Sequence, residues 1–233
     1  MPFFMPSSMP TSITKNSLLL FLFAVITASI LASTYAGTYD TIKKAERKAA
    51  QKALLEIVPQ SRFDNDILLD TLEIPKSAHD LLGKLSDETI YIARKNQKII
   101  AVIIPAIAPD GYTGDIKLIA GINTDGSIAG VRVLKHKETP GLGDKIDIKK
   151  SQWITNFKGL SLNNPNAKGW NVKKNGGEFD QFTGATITPR AVVNRIYKIL
   201  TFVANNQALL FPDKALSTSA APKQNTATIQ AAK

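Results

Sequence analysis

Hydrophobic and polar positions divide the chain into stretches with different periods. Residues 16–39 carry no charge, and the run from Leu18 to Ala32 is almost wholly apolar. In a helix, about 20 apolar residues span the roughly 30 Å hydrocarbon layer of a bilayer. The pattern therefore predicts a transmembrane anchor over 17–36, preceded by a short N-terminal tail over 1–16.

A cleaved signal peptide is the alternative interpretation of this N-terminal segment. Small residues follow the apolar run, and the triplet Thr34-Tyr35-Ala36 fits the small-x-small cleavage rule modestly. An uncleaved anchor is favoured because the run is longer than the about 7 to 15 apolar residues of a signal-peptide core.

A helical period replaces the uninterrupted apolar run after the anchor. Most of the lysines between residues 40 and 57 lie away from the apolar face of this helix. Apolar residues near one helical face are Ile42, Ala45, Ala49, Ala53, Leu54 and Ile57. The pattern predicts an amphipathic membrane-proximal helix over 37–60, which Pro59 ends.

Short β-branched runs separated by turn residues begin at residue 89. They cover 89–94, 98–104, 116–122 and 128–134. The segments Lys95-Asn96-Gln97 and Asn123-Thr124-Asp125-Gly126 are typical hairpin connections. Because strand follows strand without an intervening helix, the pattern predicts an α+β fold, a mostly antiparallel sheet flanked by helices. The same order disfavours a doubly wound nucleotide-binding fold.

Shorter elements and one long helix complete the predicted domain over 61–212. Residues 152–157 predict a short helix, and 170–172 predict a further strand. The strongest remaining helical pattern covers 189–210. Residues 213–233 are rich in Ala, Ser, Thr, Gln and Lys and cannot bury enough apolar surface to order themselves, so they predict a disordered tail.

Composition excludes several kinds of chemistry. The 233 residues include no cysteine, which rules out disulfides, thiol nucleophiles, CxxC redox pairs and cysteine-held zinc or iron–sulfur clusters. Only His79 and His136 could serve a catalytic triad or a histidine-rich metal site, and neither has a second histidine nearby. We therefore predict no metal site, and any redox chemistry must come from an organic cofactor.

The whole chain has a formal net charge of +10, and much of its positive charge is concentrated in one segment. Residues 145–174 contain seven lysines and one acidic residue, Asp147. This stretch could attract a phosphate, dock an acidic partner or form a solvated face. Nucleic-acid binding is not expected, since no aromatic-basic motif accompanies the lysines.

Lysines also bear on the orientation of the anchor. Lys15 precedes it, whereas Lys43, Lys44, Arg47 and Lys48 follow it. Taken alone, the positive-inside rule keeps the C-terminal domain in the cytoplasm, but the rule weakens for long translocated domains. The charge pattern leaves the orientation open.

The loop before the last helix predicts a phosphate site. Thr188 suits an N-cap and Pro189 the first helical position, so free N–H groups and the helix dipole would favour an anion there. Gly184 and Ala185 would let a bulky ligand approach the backbone. Hydroxyl groups in this loop belong to Thr183, Thr186 and Thr188. An ordinary N-capped helix is the alternative.

This loop resembles the flavinylation motif of the FMN-binding domain family, D-x-x-[ST]-G-A-T-x-[ST]. In that family the Thr after Gly-Ala carries FMN through a phosphoester, which implies that Thr186 is the covalent site here. The resemblance also implies flavin-binding roles for Asp180, Thr183, Gly184, Ala185 and Thr188. A Thr hydroxyl is a poor nucleophile and no local base is evident, so a separate flavin transferase is expected.

The segment Glu138-Thr139-Pro140-Gly141-Leu142-Gly143 is a second candidate flavin contact. Pro140 and Gly141 suit the central positions of a type II turn, and Gly143 permits close approach of a ligand. A purely structural loop at a strand end is the alternative. The resemblance favours proximity to the flavin ring.

Further motifs extend the resemblance to the G subunits of Rnf/Rsx electron-transport complexes. They are Gly111-Tyr112-x-Gly114, Gly121-Ile122-Asn123-x-Asp125-Gly126, Gly130-Val131-Arg132-Val133, the run 136–146 and the run 170–177. The resemblance covers the anchor and most of residues 40–210. It is specific because several motifs occur in order at suitable spacing.

The resemblance implies a single-pass inner-membrane flavoprotein whose main domain is periplasmic. Such a protein would carry electrons within an ion-translocating oxidoreductase and complete no reaction alone. Its partners would be the other membrane and peripheral subunits and the flavin transferase. Two alternatives stay open: the C subunit of the sodium-translocating NADH:quinone reductase, with the same flavin bond, and a non-redox anchored binding or assembly module.

Overall fold

The computed structural model describes residues 9–85 and 88–212, without the side chains of residues 9–12, 46, 47, 49 and 50. The chain divides into two compact units with a boundary between Ala49 and Ala50. The predicted disordered tail at 213–233 and the start of the predicted N-terminal tail lie outside the described residues.

Helix α1 runs from Met9 to Ile57 and includes both helices that the sequence pattern separates. Within it, Ile13–Ala45 is long and apolar enough to cross a membrane, and its most apolar 18-residue stretch has a mean hydropathy of 2.2. The hydroxyl of Thr27 donates to the carbonyl of Phe23 at 2.8 Å. A hydroxyl satisfied within its own helix costs less in hydrocarbon than an unpaired one. The helix thus supplies the predicted anchor by length and composition.

Five antiparallel strands form one sheet in sequence order. They are β1 (Thr71–Glu73), β2 (Thr89–Lys95), β3 (Lys98–Ala108), β4 (Ile116–Asn123) and β5 (Ile128–Lys135). Between β2 and β3, Asn96 and Gln97 have φ angles of 50° and 64°, as a two-residue hairpin with left-handed central residues requires. The predicted α+β fold with an antiparallel sheet is confirmed.

Apolar layers cover both faces of the sheet. Along β3, Val102 and Ile104 belong to the layer that includes α3 (Ile187–Asn205). The alternate residues Ala101 and Ile103 pack in a second layer with Leu54 and other residues from the end of α1. Side chains alternate between the faces of a strand, so β3 is apolar at nearly every position. This sheet forms the base on which α3 is held.

Three predicted elements differ from the structure. The expected strand at 170–172 is wrong: Val172 forms a single parallel bridge with Phe179, and Trp170 packs in an aromatic cluster. The short helix at Gln152–Phe157 is present as a 3-10 helix. The last predicted helix is divided at Asn206 into α3 and the short helix α4, Gln207–Leu210.

A buried arginine joins α3 to the short helix α2, His79–Leu82. Arg195 is 5% exposed, and its Nη1 donates to the carbonyl of Leu81 at 2.6 Å. Burial lowers the pKa of this guanidinium, while the negative charge of Asp110 acts in the opposite direction. A charge-assisted bond to a helix C-terminus is a strong attachment. It helps to fix the helix whose first turn borders the candidate site.

Candidate functional site

The first wall of the site is a tight turn after β5. The N–H of Leu142 donates to the carbonyl of Thr139 at 3.1 Å, and Gly141 has a φ of 78°. Pro140 occupies the preceding position, where its fixed φ fits a type II turn. The turn that the sequence predicts is therefore present, and it leads into a 3-10 helix over Gly143–Ile146.

The second wall is the loop that leads into α3. The N–H of Ala185 donates to the carbonyl of Phe182 at 3.0 Å, closing a turn in which Gly184 has a φ of 80°. Phe182 is buried and lies edge-on to Trp153, with ring centroids 5.2 Å apart. The indole N–H of Trp153 also donates to the carbonyl of Asp180 at 2.9 Å. These contacts fix the loop to the aromatic part of the core.

The start of α3 corrects one expectation. Helix α3 begins at Ile187 with Thr186 at the N-cap, so Thr188 and Pro189 are its second and third helical residues. Both threonines suit an N-cap by residue type, and Pro is accepted in the first turn because its missing N–H has no intrahelical role there. The consequence is that the N–H groups of Ile187 and Thr188, which lack intrahelical acceptors, directly follow Thr186.

A buried carboxyl group connects the two walls. Glu138 is 4% exposed. Its Oε1 accepts hydrogen bonds from the backbone N–H and the hydroxyl of Thr113, at 3.1 and 3.0 Å. Its Oε2 accepts a hydrogen bond from the hydroxyl of Thr188. Glu138 therefore ties the loop after β3, the turn after β5 and the first turn of α3 to one another.

A cavity of about 340 Å³ opens between these segments. Its lining residues are Tyr112, Glu138, Thr139, Leu142, Gly143, Gly184, Ala185, Thr186, Ile187 and Thr188. Thr186 is partly exposed, and its hydroxyl makes no capping hydrogen bond to the helix. The cavity thus combines an available hydroxyl, free backbone donors at a helix N-terminus and several apolar side chains.

Comparisons with known proteins assign the chain to a family. A family model described as the FMN-binding domain matches residues 111–201, and one described as the RnfG N-terminal region matches residues 5–57. The G subunit of the ion-translocating oxidoreductase complex of Pseudomonas aeruginosa (strain UCBPP-PA14) is 49% identical over 164 residues, which are 70% of this chain and 76% of that protein. The protein of the same name from Shewanella baltica (strain OS223) is 50% identical over 160 residues, 68% of this chain and 74% of that protein.

The chain belongs to the family of G subunits of ion-translocating oxidoreductase complexes. Its FMN-binding domain, as matched, contains every residue that lines the cavity. The predicted resemblance to the G subunits is confirmed, and it takes precedence over the alternative of a C subunit of the sodium-translocating reductase.

Eight of the twelve site residues that the sequence proposes line the cavity. Four others do not line it. Asp180 is exposed and pairs with Lys173 at 2.6 Å, Thr183 is exposed, and Pro140 and Gly141 shape the turn behind Leu142. The flavin contacts that the resemblance implies for these four residues therefore stay predictions.

Two lining residues, Tyr112 and Ile187, were not predicted from the sequence. Tyr112 belongs to the motif Gly111-Tyr112-x-Gly114, which contributed to the resemblance but received no role. Ile187 directly follows Thr186, and only the observed helix start makes clear that it borders the site. For Tyr112 the available signal was an aromatic side chain between two closely spaced glycines.

Gly143→Ala is expected to destabilise the domain by about 1–3 kcal/mol, the usual cost of overpacking. An added Cβ would lie 2.8 Å from the Thr188 hydroxyl and 2.9 Å from Glu138 Oε2. Urea unfolding of the full chain in detergent, followed by tryptophan fluorescence, measures the change. Gly130→Ala is the matched control, because its Cβ would meet no heavy atom closer than 3.5 Å. Equal stability of the two variants would contradict the packing argument.

Proposed function

We propose that this chain is the membrane-anchored flavoprotein component of an Rnf/Rsx-type ion-translocating oxidoreductase complex, with FMN joined to Thr186 through a phosphoester. The observation that carries the proposal is the position of Thr186 at the N-cap of α3, where its hydroxyl makes no capping hydrogen bond and the residue lines the cavity of the FMN-binding domain. The name of its relatives supports the complex to which the chain would belong.

The residues around Thr186 fit a phosphodiester anion. The N–H groups of Ile187 and Thr188 lack intrahelical partners, and the positive end of the α3 dipole lies at the same place. Backbone donors and a helix dipole together form an anion site. When bound, FMN would supply the electron-transfer chemistry, and the chain would position and shield it.

The same geometry supports a separate flavin transferase as a maturation partner. Forming a phosphoester on a threonine requires a base that removes the hydroxyl proton. Glu138 is the one ionisable carboxyl group among the lining residues, and its oxygens are engaged by Thr113 and Thr188. A positioned base for Thr186 is therefore better supplied by an external enzyme.

Expression in a host with a flavin transferase tests this function. The purified full chain should carry a flavin absorbance that persists after denaturation in detergent or urea. Colourless protein from that host would contradict the proposal and would favour a non-redox anchored binding module. The same preparation from a host without the transferase is the control, and it should contain no denaturation-resistant flavin.

We further propose a periplasmic domain held by a retained inner-membrane anchor. Helix α1 supports the anchor. A covalent bond prevents loss of flavin from a compartment without a free flavin pool, which supports periplasmic placement against the lysine pattern. The other membrane and peripheral subunits of the complex would be its partners.

A single introduced cysteine tests this orientation. The natural chain has no cysteine, so Lys168→Cys in the domain and Lys15→Cys before the anchor each provide one unique thiol. In cells with a permeabilised outer membrane, an impermeant maleimide should label Lys168→Cys but not Lys15→Cys. Labelling of Lys168→Cys only after the inner membrane is opened would reject the periplasmic placement.

A further inference from the structure

Three exposed apolar side chains of the domain line the cavity. Tyr112 is 66% exposed, Leu142 is 41% exposed and Ile187 is 39% exposed, and all three line it. A phosphate group alone gives no reason for apolar walls, because hydrogen-bond donors and positive charge are sufficient to bind it. Exposed apolar groups around a concave site indicate a ligand with an apolar face.

Tyr112 differs from the other two in shape. Within the domain residues that the structure describes, 50–85 and 88–212, it is the only aromatic among the exposed large apolar side chains. An aromatic ring presents a flat face, and flat faces pack well against planar conjugated ligands. Leu142 and Ile187 offer aliphatic contact that suits any apolar surface.

The loop that carries Tyr112 is fixed beside the site. The next residue, Thr113, donates both its backbone N–H and its hydroxyl to Glu138 Oε1. Glu138 also accepts the hydroxyl of Thr188, two residues after Thr186. The loop that carries Tyr112 and the segment that carries Thr186 are therefore both attached to one shared buried carboxyl group.

Leu142 is held between the turn after β5 and the loop that carries Thr186. An added Cβ at Gly184 would lie 3.3 Å from Leu142 Cδ2, so this side chain rests against the loop that carries Thr186. The turn before it is closed by the hydrogen bond from its own N–H to Thr139. The cavity therefore has an aliphatic wall at the turn and an aromatic group at the loop after β3.

We infer that Tyr112 contacts the isoalloxazine ring and that Leu142 supplies the apolar wall of the ring site. This inference rests on the proposed function, since it places a ring that is attached through Thr186. Tyr112 is a ring-positioning residue: attachment depends on the Thr186 hydroxyl, whereas the packing of the ring depends on Tyr112. The two can be separated by experiment.

Flavin fluorescence provides the test. An excited flavin in contact with a phenol ring accepts an electron from it and returns that electron without emitting light, whereas leucine cannot donate. Tyr112→Leu is expected to raise the native flavin fluorescence, per attached flavin, several-fold. Tyr112→Trp should remain quenched because indole is also a donor. Tyr91→Leu, the same substitution in the sheet layer that does not include α3, should leave the fluorescence unchanged.

Attachment is measured separately as flavin fluorescence of the denatured protein in a gel. If the natural chain shows none, the proposed function fails and not this inference. If Tyr112→Leu keeps its attached flavin and its native fluorescence equals that of the natural chain, the contact with Tyr112 is overturned, and the exposed tyrosine is better explained as a partner contact. If the leucine variant loses attachment, Tyr112→Trp decides: attached and quenched flavin supports the contact, and attached bright flavin contradicts it.

Discussion

Thr186→Val should yield a protein that keeps its fold and loses all denaturation-resistant flavin. Valine has nearly the volume of threonine but no hydroxyl, so no phosphoester can form. The side chain makes no capping hydrogen bond whose loss would destabilise α3. The measurement is in-gel flavin fluorescence of the denatured variant, expressed with a flavin transferase, beside the natural chain.

Thr155→Val is a suitable control for this experiment. Its hydroxyl donates to the carbonyl of Gln152, and it is not among the residues that line the cavity. It should retain the full flavin signal. Retention of denaturation-resistant flavin by Thr186→Val would show that another residue carries the bond, with Thr183 and Thr188 as the nearest hydroxyls along the chain.

Glu138→Leu is expected to lower the free energy of unfolding by about 1–3 kcal/mol, since the fully buried hydroxyl of Thr188 would be left without a partner. The substitution removes the acceptor of Thr113 N–H and of the hydroxyls of Thr113 and Thr188. It also releases the three segments that surround the cavity. Urea unfolding of the full chain in detergent, read from the buried residues Trp153 and Trp170, measures the loss.

Two comparisons sharpen the Glu138 prediction. Glu138→Gln keeps one carbonyl acceptor and should lose less stability than Glu138→Leu. Glu178→Leu replaces an exposed glutamate and should change stability by less than about 0.5 kcal/mol, as is usual for surface sites. If Glu138→Leu were as stable as Glu178→Leu, Glu138 would not be the link between the segments.

Local physical signals were sufficient for much of this fold. Alternating and β-branched positions predicted four of the five strands, and Asn96 and Gln97 tolerate the left-handed conformation that their hairpin needs. The Pro140-Gly141 pair specified its turn because each residue fits one central position. These features depend on neighbours in the sequence, which explains why the sequence alone could predict them.

Features that depend on distant residues were harder to predict. Strand β3 continues through Pro105, whereas the predicted strand ended at Ile104. Strand β2 pairs with β3 only as far as Ile103, so Pro105 lies where β3 pairs with β4 alone. A proline is accepted where its missing N–H is not needed by a neighbouring strand. Trp170 and Val172 favour strands by residue type, but within residues 88–212 no strand is placed to pair with them as a ladder.

The candidate site shows the same division. Four of the lining residues could be predicted from the motif that runs from Asp180 to Thr188, and four more from the turn after β5. Tyr112 comes from a loop more than 20 residues before that turn along the chain. Its proximity depends on the pairing of β3 to β5 and on the hydrogen bonds of Glu138, which the sequence alone does not display.

Peptide mass spectrometry of the natural chain, expressed with a flavin transferase, identifies the residue that carries the flavin. Trypsin should release the peptide from Asn175 to Arg190, which contains Thr183, Thr186 and Thr188. We expect this peptide to be heavier by one FMN minus one water, with fragmentation that places the added mass on Thr186. An unmodified peptide from flavin-containing protein, or added mass on any other residue, would contradict attachment through Thr186.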